Sequence, residues 1–209
     1  MSAEDMKGDP SVEPPSVGPP SRWELMAVRV ERTAETAGVD RLGRSLIGRA
    51  IETAMVPRLA DLDDDHHPDY LHPGRTTVIL LDDVGLADPV ALAAAALLDT
   101  RRGDLEVPDN VAEEQLNPDV IAFRKSVPRS GSVTLLEDLL ASDHDVLLVA
   151  LAERLDHVRH AHLWGDLSAA RVAHEEASQV YLKMAERAHA LLAKRYANWG
   201  RAFAARHLT

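Results

Sequence analysis

The stretch AERLDHVRHAH brings carboxylates and imidazoles together at helical spacing. Glu153 and His157 are four residues apart. His160 lies three residues further on, and Asp156 directly precedes His157. On an α-helix of about 3.6 residues per turn, these side chains form one polar stripe. Carboxylate and imidazole groups at this spacing are able to share a divalent cation, but a solvated helix face gives the same pattern. The stripe alone leaves both interpretations open.

Two further candidates lie earlier in the chain. Asp99 directly follows the apolar run at residues 90–98, VALAAAALL, which predicts a buried helix because alanine and leucine are strong helix formers. Burying a charge costs several kcal/mol unless something pairs with it. Asp99 therefore either points to water or lies at a site that uses its charge. His72, in YLHPG, is the other candidate, and a histidine in a loop or helix cap is the alternative interpretation.

Local signals predict that helices position these residues. Capping signals mark three helix starts, which are the capping box SRWE at Ser21, Asp88-Pro89 and Asn117-Pro118. A second helix is predicted from about Asp40, and Pro57 is expected to limit it. A longer helix is predicted for residues 145–164, apolar at its start and polar on one face later, and another for residues 168–207, where apolar and basic positions alternate.

One segment, TTVILLDD at residues 76–83, is ambiguous. Its threonines, valine and isoleucine favour a strand, and a strand ending at Asp82 and Asp83 is typical of an α/β phosphotransfer or receiver-like protein. A parallel sheet needs several such strands. The other candidate, DVLLVAL, continues directly into the helix-forming AERLDHV. We therefore expect an all-α fold and keep the α/β fold as the alternative.

Composition restricts the class of partner. The 209-residue chain carries a formal net charge of −11, which argues against a nucleic-acid or anionic-membrane binder. A phosphorylated ligand then needs a metal or a local basic cluster. Cysteine is absent, which excludes disulfides, thiolate zinc sites and a cysteine nucleophile. The longest apolar run is far shorter than the roughly 20 residues that span a bilayer, and no signal peptide is recognised. We expect a cytoplasmic protein.

The proline-rich amino terminus differs in composition from the rest of the chain. Residues 1–20 hold five of the twelve prolines and almost no large apolar side chains. Such a composition buries too little surface to offset the entropy of ordering. We predict a disordered tail over residues 1–20 and one domain over residues 21–209.

The order of the motifs resembles that of a known family. The chain carries YLHPGRTTVILLDDVGLADPVALAAAALLDT, followed by VALAERLDHVRHAHL and then VYLKMAER. This order resembles the HD-domain metal-dependent phosphohydrolases. It is most similar to the RelA/SpoT-type hydrolases, which remove pyrophosphate from the guanosine alarmones, (p)ppGpp. The pattern of that family runs HP, then LLHD after an alanine-rich helix, then LADRLHNMRT and YAPLANR. The likeness covers about residues 40–190.

The resemblance implies an HD-type helical bundle with a divalent ion, usually manganese. His72 matches the HP motif, Asp99 matches the aspartate of HD, and Glu153 stands where the family has its third ligand. His157 is an additional candidate ligand. Such an ion activates a water for attack on phosphate. Guanidinium groups pair with phosphate in a fork geometry. The candidates for nucleotide or phosphate binding are Arg101, Arg102, Arg154, His157 and His160.

The chain also departs from the family pattern where catalysis takes place. Leu98 replaces the histidine of HD and cannot bind a metal. Arg102 and Gly103 stand where the family has an acidic pair. We therefore expect weak or no alarmone hydrolysis by a protein that binds a nucleotide or another phosphorylated small molecule. The alternative is an active hydrolase with a rearranged site that includes His157 and is approached by the loop histidines at 66 and 67.

Overall fold

The regular structure of the chain is helical. The computed structural model describes residues 19–208, and no strand occurs within that range. The α-helices in chain order are α1 (Arg22–Thr36), α2 (Arg41–Asp61), α3 (His72–Val78), α4 (Pro89–Leu97), α5 (Asp109–Gln115), α6 (Pro118–Ser126), α7 (Leu135–Ala141), α8 (His144–Arg159), α9 (Leu167–Glu176), α10 (Leu182–Ala188) and α11 (Ala190–His207). The predicted all-α class is confirmed. The predicted disordered segment, residues 1–20, lies outside the described residues except for its last two.

The three predicted helix starts are confirmed at the level of individual hydrogen bonds. At the start of α1, Ser21 and Glu24 form a capping box, in which the Ser21 N–H donates to the Glu24 carboxylate over 2.7 Å. The Asp88 carboxylate accepts two N–H bonds, of 2.7 and 2.9 Å, from the first turn of α4. The Asn117 side chain accepts one of 3.0 Å from the first turn of α6. These caps satisfy amide groups that otherwise lack intrahelical partners.

The ambiguous segment at residues 76–83 is helical, so the α/β alternative is wrong. It forms the end of α3 and a π-helical continuation, Ile79–Val84, which ends at Gly85 in the left-handed conformation (φ 74°). Residues 76–81 are all buried. Packing on every side therefore outweighs the strand preference of the β-branched residues. The two aspartates at its end form ion pairs, Asp82 with Arg29 and Asp83 with Arg195.

Helix α2 extends past the proline that was expected to limit it. Pro57 lies inside α2, which continues to Asp61. A proline removes one N–H donor and strains the preceding turn. Here the loss is offset because α2 packs along α4 and buries most of one face. The extra turn carries Arg58, whose side chain is buried.

Helix α4 lies at the centre of the bundle. It packs against α2, α3, α6 and α8, and residues 91–98 are at most 1 % exposed. Leu98, the residue in place of the expected histidine, is part of this apolar core. Helix α8 is buried along most of its length, from Val146 to Val158. The carboxyl end of α4 and the middle of α8 therefore meet inside the protein.

The carboxyl-terminal helices are more interrupted than the sequence indicates. Helix α8 ends at Arg159 and is followed by a 3-10 turn, Ala161–Leu163, whereas one helix was expected over residues 145–164. The region predicted as helical at 168–207 contains a π-helical turn, Ala177–Tyr181. It also contains a break at His189, whose backbone is extended. The break allows α10 and α11 to pack against each other. No described helix is both long and apolar enough to cross a membrane.

Candidate metal centre

A group of acidic and histidine side chains from four parts of the chain meets in the interior. Asp69 precedes α3, His72 begins α3, Asp99 follows α4, and Glu153 and His157 lie on α8. Each of these five residues is 2 % exposed or less. His72, Asp99 and Glu153, which are far apart in the sequence, thus face one another as the motif order predicts.

His157 is the centre of this group. Its Nε2 lies 3.0 Å from Glu153 Oε1 and 3.2 Å from Asp99 Oδ1. Its ring stacks on that of His72, with 4.0 Å between the centroids and 18° between the planes. His72, Asp99 and His157 each offer one ligand atom, and these atoms all lie within 4.8 Å of one another. The three residues could therefore hold a metal ion.

The imidazole nitrogens in this group are buried without hydrogen-bond partners. Within residues 19–208, Nε2 of His72 and both ring nitrogens of His157 accept or donate no hydrogen bond. Buried polar atoms are nearly always paired, so three such nitrogens in two adjacent rings require an explanation. Imidazole nitrogen and carboxylate oxygen are ligands for Mn²⁺, Fe²⁺ and Zn²⁺. The donor set therefore fits a divalent transition metal.

A second layer of contacts orients His72. Its Nδ1 lies 2.8 Å from Oδ2 of Asp156. Arg75 donates to both oxygens of the same carboxylate, over 2.8 and 2.9 Å. Burial raises the pKa of Asp156, but His72 and Arg75 outweigh it and hold that pKa far below its usual range. The ionised Asp156 accepts the Nδ1–H of His72, so Nε2 keeps its lone pair for a metal.

The charge of Asp99 is paired inside the protein. Arg58 donates from Nη2 to Oδ2 of Asp99 over 2.6 Å, and the Arg102 backbone N–H donates to Oδ1 over 2.9 Å. Arg58 also donates to three backbone carbonyl oxygens. Burial raises the pKa of Asp99, whereas His157, His72 and Arg58 lower it and prevail. The aspartate at the end of the apolar run therefore lies at a buried polar site rather than in water.

Glu153 and His157 stabilise opposite charges on each other. Thr100 donates its N–H and its hydroxyl to Glu153 Oε1, over 2.9 and 2.8 Å. Burial raises the pKa of Glu153, but the neighbouring His157 and His72 and the Thr100 bonds bring it to about 2. Burial lowers the pKa of His157, but Glu153, Asp69 and Asp99 raise it well above its ordinary value. The surrounding carboxylates therefore favour the protonated form of His157.

Of the predicted phosphate-binding arginines, Arg101 has the side chain that pairs most closely with this group. Its guanidinium is bonded to the Asp69 carboxylate and stacks over Trp164 at 4.5 Å from the ring centroid. The Arg102 side chain is bonded mainly to Asp104, with 2.8 Å between Nε and Oδ1. Arg154 pairs with Glu176 over 2.7 Å.

The remaining histidines named from the sequence lie outside the ligand group. His160 lies at the end of α8, where its Nδ1 is 2.8 Å from the carbonyl oxygen of Asp156. His66 is exposed and pairs with Asp65 over 2.6 Å. His67 lies 3.8 Å from the Asp69 carboxylate. The loop at 66–67 therefore approaches the group only through Asp69.

Four residues that complete the site were missed by the sequence analysis. Asp69 and Arg75 lie three positions before and after His72, a spacing that could have identified them. Thr100 directly follows Asp99, and this adjacency is the signal that points to it. Arg58 gave no such signal because it follows Pro57, where the helix was expected to end.

Comparison with known proteins gives no match, whether to a family model, to a curated sequence or to a solved structure.

Proposed function

We propose that this protein is an HD-type metal protein in which His157 replaces the histidine that is missing at Leu98. In this proposal, the ion is held by His72, Asp99 and His157, with Glu153 beside them. The position of His157 carries the proposal, because its Nε2 approaches both carboxylates and has no hydrogen-bond partner among the described residues. Manganese is the ion favoured by the family resemblance, and nitrogen and oxygen ligands suit it.

The proposed ligands are phosphorylated nucleotides of the guanosine-alarmone type, with weak or no hydrolysis. A divalent ion bound here supplies a polarised water and neutralises charge that develops on phosphate. Each nearby carboxylate already accepts bonds from the chain, in the pairs Asp69–Arg101, Asp99–Arg58, Asp156–Arg75 and Glu153–Thr100. These contacts stabilise the ionised carboxylates and lower their pKa values, so each is a weaker base for a proton that leaves an attacking water. Arg102 and Gly103 also stand where the family has its acidic pair, and Arg101 directly precedes them.

The burial of the site also supports weak or no hydrolysis. The ligand side chains are at most 2 % exposed, and Arg101 lies over Asp69 at the edge of the group. A nucleotide therefore reaches the ion only after part of the surrounding structure moves. Buried ligands favour tight retention of an ion, whereas turnover needs repeated opening.

An active hydrolase with a rearranged site is the second candidate. One observation favours it: the His72–Asp99–His157 group offers three ligand atoms, as many as a typical catalytic metal site takes from the protein. The two candidates share the metal site and differ only in turnover.

Metal binding and turnover are tested separately. Metal analysis of the purified chain, followed by Mn²⁺ titration monitored by electron paramagnetic resonance, should give one ion per chain. His72→Ala and His157→Ala should abolish tight binding. His144→Ala, which removes an exposed histidine at the start of the same helix, should leave it unchanged. Absence of binding by the wild type would overturn the proposal.

Turnover is measured with the manganese-loaded protein and the alarmone, by pyrophosphate release. We expect a rate well below the usual enzyme range of roughly 1–1000 per second. A rate within that range, abolished by His157→Ala, would establish the second candidate instead.

A further inference from the structure

Each of the two imidazoles of the candidate metal centre has a carboxylate near its Nδ1, but the two distances differ. Asp156 lies 2.8 Å from Nδ1 of His72. Asp69 takes the corresponding place on the other ring, with Oδ1 3.7 Å from Nδ1 of His157. Both carboxylates are paired with an arginine. The carboxylate behind His72 is thus in hydrogen-bond range, and the one behind His157 is not.

The arginines on the two carboxylates are anchored differently. Arg101 bonds to Oδ2 of Asp69, and Arg102 Nη1 lies 3.7 Å from the same oxygen. On Asp156, Arg75 bonds both oxygens and His72 still lies within hydrogen-bond range, so the two carboxylates differ in how their arginines are held. Arg75 is also bonded to Pro68 and lies on the same helix as His72, whereas Arg101 is in a segment between helices. Arg101 is therefore the more movable of the two arginines.

Arg101 is also placed to meet an anion. Its side chain is 21 % exposed, whereas Asp69 beneath it is 2 % exposed. Among the described residues, Nε of Arg101 and the indole nitrogen of Trp164 are buried donors without acceptors, and these two side chains stack on each other. An oxyanion that binds the partly exposed guanidinium of Arg101 competes with Asp69 for it.

We propose that Arg101 and Asp69 form a positioning pair for His157, and that a phosphate-like dianion at Arg101 tightens the hold of the site on its ion. This inference rests on the proposed metal site. When the anion binds Arg101, the Asp69 carboxylate loses this contact and moves towards Nδ1 of His157. The new Asp69–His157 hydrogen bond then orients Nε2 of His157 towards the ion. The anion also neutralises a positive charge close to a divalent cation. By linkage, the ion must raise the affinity for the anion by the same factor.

The test is the Mn²⁺ affinity of the full chain with sulfate or with chloride at equal ionic strength. Sulfate carries the two negative charges of a phosphate group and complexes Mn²⁺ weakly. We expect sulfate to tighten Mn²⁺ binding by about three- to tenfold, the effect of offsetting one positive charge near a divalent ion in a partly buried site. Arg101→Gln should bind Mn²⁺ more tightly by a similar factor without sulfate and should no longer respond to it.

Two further variants separate positioning from general structural effects. Asp69→Asn should weaken Mn²⁺ binding and abolish the response to sulfate. Arg44→Gln should respond to sulfate like the wild type, because Arg44 has the same 21 % exposure and an ion pair with Glu35 but lies on α2 far along the chain from the site. Should Arg101→Gln fail to fold, Arg101→Lys is measured in its place, with a reduced response expected.

The outcomes distinguish this inference from the proposed function. Tight Mn²⁺ binding that depends on His72 but does not change with sulfate would overturn the inference and leave the metal site standing. A response to sulfate that persists in Arg101→Gln would also overturn it, because the anion would then act elsewhere. Absence of Mn²⁺ binding by the wild type would overturn both.

Discussion

Replacement of Arg58 by methionine tests whether the charge of Asp99 depends on one buried partner. Arg58 is 1 % exposed and donates to Asp99 over 2.6 Å, and it also donates to three backbone carbonyls over 2.7–3.2 Å. Removing one member of a buried ion pair costs about 3–5 kcal/mol, because the other charge stays buried without compensation. We expect Arg58→Met to lower the free energy of unfolding by about this amount, measured by urea denaturation. Total stabilities are about 5–15 kcal/mol, so the variant should fold marginally.

The double variant Arg58→Met, Asp99→Leu isolates the pair. When both charges are removed, no uncompensated carboxylate remains, and we expect the double variant to be more stable than Arg58→Met alone. Arg44→Met is the control, because its partner Glu35 is largely exposed, and such pairs contribute about 0–1 kcal/mol. Mn²⁺ should partly restore the stability of Arg58→Met, since a cation then faces Asp99. A loss below about 1 kcal/mol in Arg58→Met, or losses that simply add in the double variant, would refute this reasoning.

Two other variants test how the site is positioned. In Gly74→Ala, an added Cβ would lie 2.3 Å from Cγ of Met26, so the Met26 side chain or the α1–α3 packing must shift, and we expect a loss of about 1–3 kcal/mol in urea denaturation. Gly48→Ala on α2 meets no atom within 4 Å and should instead gain up to about 1 kcal/mol; equal effects of the two substitutions would contradict the packing argument. Asp156→Asn removes the carboxylate behind His72 and should weaken Mn²⁺ binding by about 10- to 100-fold, measured by titration. An unchanged affinity would show that His72 does not act as a ligand through Nε2.

Several features of this protein follow from short stretches of sequence. The helix starts at Ser21, Asp88 and Asn117 were predicted correctly because a cap is formed by residues two or three positions apart. The buried helix α4 follows from its composition of alanine and leucine. The proximity of His72 to Glu153 was expected only from the order of the motifs, since no local signal connects residues so far apart in the sequence.

Other features were decided by packing. The segment at 76–83 has strand-forming residues, yet burial on all sides makes it helical, and burial against α4 carries α2 through Pro57. That extra turn delivers Arg58 to Asp99, and neither the position of Arg58 nor its partner is visible in the sequence.

The sequence therefore identified candidate ligands such as His72 and Asp99, and the tertiary structure decided which charged groups lie next to them. Caps and helical periodicity depend on hydrogen bonds and side chains within a few residues, so a short sequence encodes them. The state of Asp99 depends on a guanidinium 41 positions away and on an imidazole 58 positions away in the chain. Such pairs form only when helices pack and water is excluded, because burial makes an unpaired charge costly and a paired one specific.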